Sequence, residues 1–174
     1  MEIPLSYLTN SYNGGYQIEF PTDVLSVPLK IGDETLLSFN ETDWNNSGGS
    51  QQGPVVDSGT GGMTLPVSNE VFKEKLLEPV LKQCDDICKV KIGVLFEQAN
   101  PKTGNGIEKS CAKCMLKKMK NLTVELGKRV LEVEGSTFLS EITTNCSGRY
   151  VLAWIPEPGQ LFTIGTSYMM GKTL

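Results

Sequence analysis

A mainly β, single-domain fold is predicted by three observations. Short runs of alternating apolar and polar residues recur along the chain, clusters of Gly, Asn, Ser and Pro separate them, and one stretch has strong helical spacing. The 174 residues suit one domain spanning 1–174 with a sizeable core. Many short strands and one or two short helices are expected.

The elements follow in order. Tyr16-Gln17-Ile18-Glu19-Phe20 alternates as a half-buried strand does. Val24 to Ile31 reads as a second strand, weakened by Pro28, and Gly32-Asp33 as a turn. Asn45 to Gly53 is rich in Asn, Ser, Gly and Gln and reads as a surface loop, with Trp44 beside it at the surface. Val55-Val56 is a short β-branched strand running into Asp57-Ser58-Gly59-Thr60-Gly61-Gly62. After Met63-Thr64-Leu65-Pro66, Ser68 suits an N-cap, and Phe72, Leu76, Leu77, Val80 and Leu81 repeat at helical spacing. Pro79 is expected to kink or end that helix. Asn100 to Gly106 is a loop. Leu122 to Val133 reads as two strands joined through Gly127-Lys128, and Tyr150–Ile155 and Leu161–Gly165 as further strands, with Trp154 in the core.

Composition excludes several chemistries. The chain has no histidine, so it holds neither a Ser-His-Asp triad nor a Cys-His pair, and the usual catalytic zinc sites are disfavoured. Carboxylates are then the natural acid and base for any hydrolysis. Net charge is −4, which argues against nucleic acid or an anionic membrane as partner. No segment approaches the roughly 20 apolar residues needed to span a bilayer, and Met1 to Leu5 lacks the basic and apolar regions of a signal peptide. The lysines at 113, 117, 118 and 120 read as a solvated face.

Two features suggest the secretory pathway. Asn-x-Ser/Thr sequons occur at Asn40, Asn45, Asn121 and Asn145. The five cysteines, Cys84, Cys88, Cys111, Cys114 and Cys146, allow two bridges with one thiol left over. Cys84 and Cys88 could close a small local loop. Cys111-Ala112-Lys113-Cys114 resembles a redox or zinc motif, but without histidine or a second CxxC a disulfide role is favoured over a metal.

Asp57 is the candidate for chemistry. Valines bury the approach to it, glycine frees the turn, and Ser58 and Thr60 bring hydroxyls within reach of the carboxylate. The same residues also suit an ordinary Asx turn between strand and helix. In order, Val55-Val56-Asp57-Ser58-Gly59-Thr60, then Thr64-Leu65-Pro66, the Phe72/Leu76 helix and Thr163-Ile164-Gly165 resemble the C-terminal lobe of the pepsin-like aspartic proteases. Ile3-Pro4-Leu5 and Tyr16-Gln17-Ile18 resemble the start of that lobe, so the likeness covers nearly the whole chain.

The resemblance implies one lobe of a bilobal fold, truncated at one or both ends, and an aspartic endopeptidase that needs no metal or cofactor. Asp57 would face a second aspartate from another lobe, the pair sharing one proton and activating a water against a peptide carbonyl. Thr60 would bond to Asp57, Ser58 would support the loop, Gly59 would allow the turn, and Ile164-Gly165 would pack behind it. Gly61 and Gly62 are candidate substrate contacts, although the family usually has Ser or Thr at the position of Gly61. A disulfide from Cys111 or Cys114 to Cys146 would match one common in that lobe. Thr166 departs from the Asp often found there, and the chain carries one Asp-Ser/Thr-Gly and no flap tyrosine of the N-terminal lobe. The partners implied are a peptide or protein substrate and a missing N-terminal lobe. The alternatives are a retropepsin-like pairing of two identical lobes and a non-catalytic pepsin-like binding or inhibitor protein.

Overall fold

A computed structural model describes residues 8–10, 16–46, 54–57, 59–142, 148–160 and 162–165. Its strands in chain order are β1 (Leu8–Asn10), β2 (Tyr16–Ile18), β3 (Val27–Ile31), β4 (Glu34–Phe39), β5 (Val55–Val56), β6 (Met63–Leu65), β7 (Ile107–Glu108), β8 (Leu122–Leu126), β9 (Arg129–Val133), β10 (Leu139–Glu141), β11 (Arg149–Leu152), β12 (Trp154–Pro156) and β13 (Thr163–Ile164). They form three sheets, ordered β1-β2-β5-β13-β6-β12, β4-β3-β8-β9 and β10-β11-β7. The fold is mainly β, as the alternating runs predict.

The four-stranded sheet is antiparallel throughout. Period-two alternation explains it: Val27, Leu29 and Ile31 of β3 are buried, as are Leu122, Val124 and Leu126 of β8. Pro28 is tolerated because β3 pairs with β8 only from Leu29 to Ile31, so its missing N–H falls outside that ladder. Gly127 turns β8 into β9 at φ +62°, a conformation that glycine adopts without strain. The expected 150–155 strand is two strands. β11 belongs to the three-stranded sheet, and β12 to the six-stranded one. The chain changes sheet at Ala153, whose N–H donates to Phe138 O at 2.9 Å.

Helices exceed the one or two expected. They are α1 (Glu41–Asn45), α2 (Asn69–Phe72), a π-turn at Lys73–Leu77 leading into α3 (Glu78–Lys82), α4 (Asp85–Cys88), α5 (Ile92–Ala99) and α6 (Lys109–Lys118). The helix begun at Ser68 neither ends nor breaks at Pro79. Proline lacks the N–H that would reach the Lys75 carbonyl, and its ring crowds that turn. The chain meets this by widening to π geometry just before it. Ser68 caps the start, its Oγ accepting from Val71 N at 3.2 Å.

Trp44 is a correction. It is fully buried, on α1 and not in a surface loop. Its Nε1–H donates to Ile18 O at 2.8 Å, and its ring meets Phe39 and Phe20 edge-on at 5.5 and 6.1 Å. A second aromatic chain runs from Phe96 through Phe72 and Phe138 to Trp154. It joins α5 and α2 to the six-stranded sheet. Lys113, Lys117, Lys118 and Lys120 are exposed, as a solvated face requires.

The cysteine pairing also departs from expectation. Cys84 bonds to Cys114 and Cys88 to Cys111. Neither the local Cys84–Cys88 loop nor a bridge from Cys111 or Cys114 to Cys146 forms. The reason is packing: α6 lies against α3 and α4, so Cys84 and Cys88 face Cys114 and Cys111 across two helices. Cys146 lies outside the described residues.

Candidate functional site

The site is built on β5. Val55 and Val56 are buried between β2 on one side and β13 on the other. β5 runs antiparallel to β2 and parallel to β13. Val55 N donates to Phe162 O at 3.0 Å and Asp57 N to Ile164 O at 2.9 Å. The strand is therefore held on both edges up to the residue that carries the carboxylate.

Asp57 is half-buried. Its Oδ1 accepts from the Gly59 N–H at 2.8 Å, and its Oδ2 from the Thr60 hydroxyl at 2.7 Å. The chain turns over this carboxylate, with Thr60 N reaching Asp57 O at 3.4 Å. Alone, these bonds describe an Asx turn. The packing behind the turn goes further. A Cβ on Gly165 would lie 2.0 Å from Gly62 O and 2.3 Å from Thr60 O, and one on Gly62 would lie 2.3 Å from Ala153 O. Three backbone segments, around Thr60–Gly62, Ala153 and Gly165, are thus in closest contact, and only glycine fits at positions 62 and 165. Met63 N donates to Ala153 O at 2.7 Å and completes the clasp.

Most of the sequence-predicted residues thus meet here. Asp57, Gly59, Thr60, Gly62, Ile164 and Gly165 form one contiguous loop-and-strand cluster. Gly61 is exposed, with nothing within 4 Å of its Cβ position. Ser58 and Thr166 lie outside the described residues. Ala153 and Phe162 contribute through backbone carbonyls, which leave no signature in a sequence. Among the described residues, no hydrogen bond or ion pair links Asp57 to another acidic side chain or to a basic one. Chemically the loop offers one positioned carboxylate whose two oxygens each keep acceptor capacity for a further group.

The remaining candidates lie elsewhere. The disulfides staple α4 and its N-cap Cys84 to α6. Asn40 is the N-cap of α1, Asn45 is its half-buried last residue, Asn121 immediately precedes β8, and Asn145 lies outside the described residues. No group of three or more His, Cys, Asp or Glu side chains suited to a metal occurs among the described residues. Among them too, no helix is long and apolar enough to cross a membrane. No protein-family model and no curated protein matches the sequence.

Proposed function

We propose that this chain is a lobe of C-terminal type from a pepsin-like aspartic protease, hydrolysing peptide bonds with Asp57 as one of two catalytic aspartates. What supports the reading is the Asp57 loop: a carboxylate at the end of a strand held on both edges, fixed through both oxygens by Gly59 and Thr60 and backed by Gly165. A carboxylate held this way needs little reorganisation when a reaction begins, which is the condition for efficient general acid–base work.

The chemistry needs a second carboxylate facing the first. Two carboxylates that close cannot both ionise, so the pair holds one proton. The ionised member takes a proton from a bound water, the water attacks the peptide carbonyl, and the protonated member donates to the developing oxyanion. The second aspartate comes from a partner lobe. Gly61 and Gly62 border the groove where the peptide lies, and no cofactor takes part. The two disulfides suit an oxidising compartment of the secretory pathway.

The test is peptide hydrolysis across pH by the full-length protein beside Asp57→Asn. The parent has an acid optimum and is blocked by transition-state peptides with a central hydroxyl, while Asp57→Asn is inactive. Unchanged activity in Asp57→Asn rejects the assignment.

A further inference from the structure

We infer that Asn40 carries an N-linked glycan and that Asn121, with the same motif, does not. The inference rests on passage through the secretory pathway and is independent of Asp57.

Asn40-Glu41-Thr42 and Asn121-Leu122-Thr123 are both complete sequons, but the folded chain uses their amides differently. Asn40 is exposed, and Glu41, Thr42 and Asp43 after it are exposed as well. Only the oxygen of its amide is engaged, with Oδ1 accepting from Asp43 N at 2.8 Å to cap α1. Its Nδ2 makes no hydrogen bond among the described residues. In glycan transfer Nδ2 loses one proton and bonds to the anomeric carbon. The bond from that carbon to the lipid-linked pyrophosphate donor breaks, and the pyrophosphate leaves with the electron pair. The carbonyl oxygen is untouched, so the glycosylated Asn40 still caps its helix.

Asn121 uses both ends of its amide. Nδ2 donates to Glu132 Oε1 at 2.5 Å, and Oδ1 accepts from Gly135 N at 2.9 Å. Its backbone carbonyl also accepts from Gly32 N at 3.1 Å. The seam it closes is tight, because a Cβ on Gly135 would lie 2.3 Å from Met119 O. A sugar on Nδ2 would have to fit beside Glu132, at the nitrogen that ties β8 to β9. Asn121 is thus built into the fold as a structural amide, and Asn40 is open at the nitrogen.

The full chain is passed through the secretory pathway of a eukaryotic cell, then treated with peptide-N-glycosidase in ¹⁸O water and mapped by mass spectrometry. The expected result is ¹⁸O-labelled aspartate at position 40 and unmodified asparagine at 121. Asn40→Asp keeps a helix cap but removes the acceptor nitrogen. Thr42→Ala keeps Asn40 itself and removes the sequon. Each lowers the intact mass by one glycan, whereas Asn121→Gln lowers it by none. An unlabelled position 40, a labelled position 121, or an unchanged glycan count in Thr42→Ala overturns the inference. None of these readouts depends on proteolysis, so they stand or fall apart from the role of Asp57.

Discussion

Replacing Gly165 with alanine tests whether the Asp57 loop is held from behind. The added methyl would lie 2.0 Å from Gly62 O and 2.3 Å from Thr60 O, where real Cβ atoms stay beyond 3.0 Å. The opposing backbones must therefore part by about an ångström, and backbone has no spare rotamer with which to absorb the change. Overpacking costs about 1–3 kcal/mol, and contact with main chain on two sides puts this case near the upper end. For a protein of this size about 3 kcal/mol lowers Tm by roughly 6–12 °C. Gly61→Ala is the control. Nothing lies within 4 Å of its Cβ position, and its φ lies outside the left-handed region. That variant should be neutral, or stabilised by about 0.4–1 kcal/mol through the unfolded chain. Guanidinium denaturation of both proteins with disulfides intact, comparing midpoints at constant m, reads the difference. The reasoning is refuted if Gly165→Ala lies within about 0.5 kcal/mol of the parent, or if Gly61→Ala costs as much.

Three further outcomes follow from the same contacts. Thr60→Val removes the hydroxyl that donates to Asp57 Oδ2 and should cost about 1–2 kcal/mol, the usual range for a charge-assisted bond reduced for partial exposure. Thr60→Ser should restore the loss, and a Ser variant as weak as Val would contradict the bond's role. The two disulfides span 30 and 23 residues and enclose between them a ring of nine residues, 84–88 and 111–114. Removing either alone reopens only that ring, at about 2 kcal/mol, while removing both releases the long loop as well, about 6 kcal/mol together. A quadruple variant no weaker than either double variant in thermal unfolding would sink this account. Ser68→Ala should cost about 1 kcal/mol at neutral pH through loss of the α2 cap. Glu70 is held below the usual carboxylate range, first by a hydrogen bond to its own backbone, then by Ser68, with Lys73 adding to both. A lowered folded-state value gives stability that is present above the unfolded value and lost as pH falls through the folded one. The gap between parent and Ser68→Ala should therefore narrow in acid, and a gap that widens there in denaturation curves contradicts it.

The strands were legible because alternation and burial coincide. In β3, β8 and β9 the residues that the pattern places inward are the ones that are buried. The helix after Ser68 was legible for the same reason at period 3.6. The four outside it, α1, α4, α5 and α6, were not. α5 contains Gly93 and only eight residues, too few for periodicity to stand out. In α6 the apolar seam is Cys111, Ala112 and Met115, and Cys111, with Cys114 close behind it, reads as cysteine chemistry, not as a core face. Trp44 reads as a surface residue because the Asn- and Ser-rich sequence after it resembles a loop, yet it is buried. The signal for its helix was Asn40, a cap residue three positions before Asp43. At the site, spacing put the hydroxyls of both Ser58 and Thr60 within reach of Asp57, and the resemblance singled out Thr60, which makes the bond. The cysteine partners could not, since pairing depends on which helices pack together, and that is decided by the core.

The paired disulfides have a consequence for how the chain would respond to cutting. Both join the 84–88 segment to the 111–114 segment, so every peptide bond between Cys88 and Cys111, including those of the exposed Pro101-Lys102-Thr103 turn, lies inside a covalently closed circuit. A nick there severs the backbone without separating the pieces. On a non-reducing gel the nicked molecule migrates as one species, and only reductant resolves it into two fragments.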